Sequence, residues 1–230
     1  MPFIKAILFD MDDTLIDDKA SYALSIRRLC DDFAFDLERL DTAYSALSPR
    51  FWGACDLAAE RELLWHRALG ACGYDASLAA AVRDRYLELR VETSTALDGT
   101  AEAMATLCSR YRLAVVTNGG GDIQTQRLAH AGLDGYFDAV VCSSDVDAGK
   151  PDARIFLHAM QRLGVSPEDT WVVGDSPESD VAGALAAGTK AVWYNPQRHS
   201  ARLGQPRHHH EIARLLELPD VLDVYGAIRS

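Results

Sequence analysis

Apolar and polar positions change their rhythm three times along the chain. Residues 4–9, Ile-Lys-Ala-Ile-Leu-Phe, form a short, nearly unbroken apolar run of the kind a buried parallel strand shows, and they lead directly into Asp10-Met11-Asp12-Asp13-Thr14. From Asp17 to about Leu97 no strand pattern is found. Apolar residues there fall at helical spacing: Tyr22, Ile26, Leu29 and Phe33; Leu37, Leu40, Tyr44 and Leu47; Leu64, Ala68 and Leu69; Leu78, Val82, Tyr86 and Leu89. About four helices are predicted, with breaks at Ser48-Pro49 and from Gly70 to Gly73. After Asp98-Gly99 the pattern alternates. Helices are predicted near 100–109, 123–131, 152–163 and 178–187, and strands at 113–116, 139–142, 171–173 and 191–194. Beyond Pro196 the signal weakens, with a helix expected over 211–216.

Strand–helix alternation implies a mostly parallel sheet covered by helices on both faces. The fold class expected is therefore α/β, a Rossmann-like parallel sheet core made from residues 1–16 and 98–230, with an all-helical domain, 17–97, inserted into it. Length and composition agree with this picture: 230 residues, 48% hydrophobic and 25% charged, suffice for one large domain carrying an insertion. The formal net charge of −11 argues against nucleic acid or an anionic membrane as partner, since both call for a basic face. Any anionic ligand must be held locally. Cys30, Cys55, Cys72, Cys108 and Cys142 show no metal-ligand spacing and read as small core residues of a reducing compartment. With neither a signal-peptide pattern nor a stretch of about 20 apolar residues, the cytoplasm is the expected location.

In open parallel sheets, ligands bind beyond the carboxyl ends of the strands. Four polar clusters sit at such ends. Asp10 and Asp12 follow the first strand; Thr117-Asn118-Gly119 follows the second; Gly149-Lys150-Pro151-Asp152 follows the third after a short loop; Gly174-Asp175-Ser176-Pro177-Glu178-Ser179-Asp180 follows the fourth. Each has an ordinary reading when taken alone: a helix-capping aspartate, a glycine-rich turn, an exposed lysine, a carboxylate complementing a helix dipole. Their company changes the picture. Two like charges 4 Å apart repel by roughly 4 kcal/mol at an effective dielectric near 20, so gathered carboxylates need a divalent cation, a shared proton or a lysine. Thr117, Asn118 and the glycines after them offer a hydroxyl and backbone N–H groups to an anion. Ser176 and Pro177 suit the cap and first position of a helix, leaving Asp175 in the loop before it. This inventory suits phosphoryl transfer. For Arg50, Trp52 and His66, surface or packing roles are favoured, and no site is assigned. The run His208-His209-His210 cannot aim three adjacent side chains at one ion from regular structure and is expected to be a surface stretch.

As an ordered set, Asp10-Met11-Asp12-Asp13-Thr14, Thr117-Asn118-Gly119, Lys150, and Gly174-Asp175-Ser176 with Asp180 resemble the four motifs of the haloacid dehalogenase-like (HAD) superfamily across essentially the whole chain. The helical insertion resembles the cap found at that place in one branch of the family. The resemblance implies a Mg²⁺-dependent phosphatase of a small phosphorylated metabolite. In it Asp10 is the nucleophile that becomes an aspartyl phosphate, and Asp12 is the general acid/base that also offers its backbone carbonyl to the metal. Thr117 and the Asn118 region hold the phosphoryl group, Lys150 balances charge, Asp175 completes the metal site, and Asp180 supports it near Lys150. Asp13 stands where many members have glycine. Dehalogenases and phosphonatases of the family carry a non-acidic residue in place of Asp12; a phosphomutase, or a silent phospho-ligand-binding member, is the remaining alternative. The cap is expected to turn as a body about hinges near 15–18 and 97–99.

Overall fold

The strand β1, Ala6–Phe9, is buried along its whole length. It is flanked by two parallel partners, β2 (Arg112–Thr117) and β4 (Thr170–Gly174). With β3 (Ala139–Cys142) beyond β2, and β5 (Lys190–Tyr194) then β6 (His210–Ile212) beyond β4, they form a six-stranded parallel sheet in the order β3-β2-β1-β4-β5-β6. In this computed structural model residues 4–48 and 58–227 are described. Strand order reverses between β1 and β4, so the crevice past their carboxyl ends is the switch point where such sheets bind ligands.

The two-residue period of β1 divides its side chains between two cores. Ile7 and Phe9 pack with Met104 and Leu107 of α5 (Thr100–Cys108) and with Leu218 and Leu222 of α10 (Leu218–Ala227). Ala6 and Leu8 face the other way, toward Ile155, Phe156 and Ala159 of α8 (Ala153–Leu163) and Ala184 of α9 (Ala182–Ala186). Each large aliphatic or aromatic side chain so buried contributes about 1.5–3 kcal/mol.

Between β1 and α5 lie the helices α1 (Asp18–Phe33), α2 (Leu37–Leu47), α3 (Ala58–Ala71) and α4 (Ala79–Glu92). Asp17 and Asp36 cap the first two, accepting from the N–H groups of Ala20 at 3.0 Å and Arg39 at 2.8 Å. The apolar stripes of the four helices close on one another around Leu29, Leu40, Trp65, Leu69, Val82 and Leu89, with Tyr44 stacked on Trp65 at 4.5 Å. That cluster takes no residue from the sheet among those described. The chain crosses into and out of this block side by side: Asp17 N–H donates to Thr95 O at 3.0 Å, Leu97 N–H to Leu15 O at 2.9 Å, and Ile16 bridges Ala96 antiparallel. Pro49, Arg50 and Trp52 lie outside the described residues.

Two expectations are corrected beyond Pro196. The helix predicted over 211–216 is instead strand β6 followed by a 3₁₀ turn, Leu215–Glu217, and the helix comes later as α10. Pairing of His210 with Val192 and of Ile212 with Tyr194 overrides local preference. The histidine run is only partly a surface stretch. His209 is exposed, while His208 packs on Trp193 and His210 is half-buried between Trp171 and Tyr225. A short helix α7, Ser143–Val146, and the remaining core helix α6, Gly121–His130, complete the fold.

Candidate active site at the carboxyl ends of the strands

Asp10 leaves β1 with its N–H donated to Val173 O at 2.9 Å, so its carboxyl emerges at the switch point. Lys150, reaching in from the loop after β3 and α7, donates to Asp10 Oδ1 and lies 2.8 Å from Asp180 Oδ1. All three side chains are at least nine-tenths buried. Burial raises the Asp10 carboxyl well above the usual carboxylate range, with the Lys150 ammonium opposing. Burial alone would lower Lys150, but the carboxylates of Asp10 and Asp180 outweigh it and hold the ammonium charged. Asp180 sits in a π-helical turn, Pro177–Val181, capped by Ser176, whose Oγ accepts from Ser179 N–H at 3.3 Å. The second oxygen of Asp180 accepts from Ser176 N–H at 3.0 Å.

Asp175 is half-buried and pinned on both sides. Its N–H donates to Thr14 Oγ1 at 3.1 Å, and its carbonyl accepts from Trp193 Nε1 at 2.9 Å. Its carboxyl is pushed up to about 6, first by burial and then by the charges of Asp180 and Asp13. Asp13 adopts a left-handed φ of 57°, the conformation that glycine takes most readily, and its carboxylate pairs with Lys19 Nζ at 2.9 Å.

The side chain of Asn118 is committed to Lys150: its Oδ1 accepts from Lys150 N–H at 2.6 Å, and its Nδ2 donates to Lys150 O at 3.1 Å. The loop after β2 therefore positions the lysine through Asn118. Thr117 Oγ1 accepts from Gln124 Nε2 at 2.8 Å, and the same Nε2 lies 3.2 Å from Asp12 Oδ2. Asp12 turns its carboxylate toward Gln124 and Arg127 of α6; Arg127 Nη1 donates to Oδ1 at 2.7 Å. Partial burial raises the Asp12 carboxyl, and Arg127 opposes the shift. Arg127 and Gln124 escaped the sequence reading because polar residues three apart on a helix normally mark its wet face; here both are buried.

Close packing leaves no room beside Asp180. A Cβ at Gly174 would lie 2.3 Å from Asp180 Cγ. Gly174→Ala is expected to cost about 1–3 kcal/mol in a denaturant melt through overpacking, and to reduce activity by displacing the Asp180 carboxylate from Lys150. A variant with wild-type stability and activity would show that Asp180 has freedom to move.

The carboxylates of Asp10, Asp175 and Asp180 place oxygens within 4.8 Å of one another, and the Lys150 ammonium contacts two of them, Asp10 and Asp180. All the donors are hard oxygens, the set that Mg²⁺ takes with one or two carboxylates plus substrate phosphate. The residues present fit that ion. Residues 4–188 match the family model described as haloacid dehalogenase-like hydrolase. The chain belongs to this family. Among HAD-like relatives, the pyrimidine 5'-nucleotidase PynA of Streptococcus pneumoniae is 30% identical over 229 residues, covering 96% of each chain. The HAD-hydrolase YfnB of Bacillus subtilis, whose magnesium-bound crystal structure reveals interdomain movement, superposes with a TM-score of 0.80 at 28% identity, over 96% of this chain and 99% of that one. A 2-haloacid dehalogenase of Pseudomonas syringae pv. Tomato reaches a TM-score of 0.75 at 31% identity, over 97% and 100%.

Proposed function

We propose that this HAD-like hydrolase is a Mg²⁺-dependent phosphatase that cleaves a small-molecule phosphate monoester through an aspartyl phosphate on Asp10. The observation that carries the reading is the pairing of the two carboxylates. Asp10 is buried against Lys150, while Asp12 comes from the same loop and is held separately by Gln124 and Arg127. Two acids in environments this different suit two roles. Asp10 attacks phosphorus. Asp12, in its acid form, protonates the departing alkoxide; in its base form it takes a proton from the water that attacks the aspartyl phosphate and releases inorganic phosphate. Thr117 and the backbone N–H groups around Asn118 receive phosphoryl oxygens, and Lys150 balances the charge of Asp10 and the phosphoryl group. Mg²⁺ held by Asp10, Asp175 and the Asp12 carbonyl, with Asp180 beside it, would supply the positive charge that lets a phosphate dianion approach these carboxylates.

In this reading residues 1–16 and 98–230 form the catalytic core and 17–97 a helical cap over it. The interdomain movement of YfnB supports a cap that turns as a body. The position of Asp12 favours phosphatase over dehalogenase, because dehalogenases of the family place a non-acidic residue there. Among the described residues no helix is long and apolar enough to cross a membrane, and the substrate proposed is a small phosphorylated metabolite met in the cytoplasm.

The test is phosphate release with Mg²⁺ across nucleoside monophosphates, sugar phosphates and three-carbon phosphates, with 2-haloacids alongside. The nucleotides belong in the panel because PynA is a pyrimidine 5'-nucleotidase. Turnover of at least one phosphate ester and no halide release is the expected result. Halide release without phosphate release would overturn the reading.

A further inference from the structure

Arg127 belongs to none of the four sequence clusters, yet its buried guanidinium touches four places at once. Nη1 donates to Asp12 Oδ1 at 2.7 Å and to Gln124 Oε1 at 2.8 Å; Nη2 donates to Asp18 Oδ1 at 2.6 Å; Nε donates to Ser94 Oγ at 3.0 Å. Asp18 is the first residue of α1, just after the chain leaves the sheet, and Ser94 follows α4, just before it returns. One planar group on a core helix therefore holds Asp12 together with both crossings. Arg90 of α4 reinforces the block's side of this arrangement, donating to Asp18 Oδ1 and, at 2.9 Å, to Ser21 Oγ.

The geometry of the guanidinium matters. Its N–H groups are fixed in one plane, so they cannot be re-aimed independently. If α1–α4 move as a body, Asp18 and Ser94 move with them, and the guanidinium must either break those bonds or turn. Turning it swings Nη1, and with it the seat of the Asp12 carboxylate. Adhesion of the block to the core would need only the contacts to Asp18 and Ser94; the short bond to Asp12 adds nothing to that task.

We propose that Arg127 is the positioning residue that ties the setting of the Asp12 carboxylate to the seating of the helical block. The inference rests on the phosphatase reading and adds to it a physical link between α1–α4 and the acid/base step.

Because kcat/KM covers the chemistry up to departure of the leaving group, an alkyl phosphate reports on Asp12 as an acid, whereas 4-nitrophenyl phosphate has little need of one. Arg127→Ala is expected to lower kcat/KM for the alkyl ester by about 10²-fold, within the range of a general acid. The loss for the aryl ester is expected to be several-fold. Arg127→Lys keeps a charge but loses the fork, so it should not rescue the alkyl ester. In an Asp12→Asn background, Arg127→Ala should add little further loss. Asp18→Asn preserves shape and leaves the bond between Arg127 and Asp12 in place. It should produce the same leaving-group-selective loss to a smaller degree, and it carries the test should Arg127→Ala fail to fold. Equal losses on both esters, or effects of Arg127 and Asp12 that multiply, would reduce Arg127 to a structural residue and overturn the proposal. A wild-type protein active on phosphate esters but indifferent to Arg127→Lys and Asp18→Asn would do the same while leaving the phosphatase reading intact. No phosphate release from the wild type with these two esters or with any member of the panel above would overturn both.

Discussion

Asp10→Asn is expected to release no phosphate and to take up no label from a radiolabelled phosphate ester, whereas Asp12→Ala is expected to turn over about 10² to 10⁴ times more slowly while label accumulates on the protein. In the proposed mechanism the two variants separate because the two carboxylates act at different moments. Without Asp10 no covalent intermediate can form. Without Asp12 the nucleophile remains against Lys150, and an ester with a good leaving group can still phosphorylate it. Hydrolysis of that intermediate then lacks its base, so the phosphorylated form persists. Asp12→Ala also leaves the buried Arg127 without its partner at 2.7 Å, and a thermal melt beside the kinetics shows what part of the loss is stability. Wild-type rates for Asp12→Ala on an alkyl phosphate would remove Asp12 from the mechanism.

Much of this site is legible in the sequence because parallel sheets place their strand ends together. The apolar runs that become β1, β2 and β4 each stop at a polar cluster, and the order of those clusters brings Asp10, Thr117 and Asp175 to one crevice, with Lys150 joining from the third. What the pattern cannot carry is the direction in which a polar side chain turns. Asn118 reads as part of an anion-binding turn, yet its amide grips the backbone of Lys150. Arg127 reads as a residue on the wet face of a helix, and its burial is created by Asp18 and Ser94, which fold over it from an insertion far away in sequence. β6 escapes the apolar pattern for a different reason. Three residues with a single inward apolar side chain, Ile212, give too short an alternation to register, and it is the free edge of β5 that makes them a strand.

Activity should fall to background in excess chelator and return with Mg²⁺; full turnover of metal-stripped protein in chelator would sink the metal assignment. A second measurement follows from the carboxyl groups themselves. In the metal-free protein Asp10 is raised above the usual carboxylate range and Asp175 is raised to about 6. An unfolded aspartate titrates near 3.9. Between about pH 4 and 6 these two sites thus bind more protons in the folded state than in the unfolded one, so their contribution to stability falls as pH rises through that window. Mg²⁺ binds the deprotonated carboxylates and competes with those protons. It should accordingly raise Tm clearly at pH 7.5 and little at pH 5. At a hundredfold excess over Kd the gain is about 2.7 kcal/mol, or roughly 5–10 °C for a chain of this size. An equal rise at both pH values would place the ion elsewhere.

The central position of β1 also governs the order in which the chain can be completed. Ala6 pairs with Arg112 on one side and with Thr170 on the other, so at synthesis the strand at the middle of the sheet is made first and its neighbours arrive only after the whole insertion has emerged. The apolar cluster of α1–α4, by contrast, draws its fully buried members from Ile26 to Leu89 and, among the described residues, takes none from later in the chain. Sheet contacts of this span are slow to form, while local helical contacts form quickly. A nascent chain can therefore close the helical block while Ala6 to Phe9 still lack both partners, and during that interval the strand that leads into Asp10 is exposed to pairing with the wrong chain.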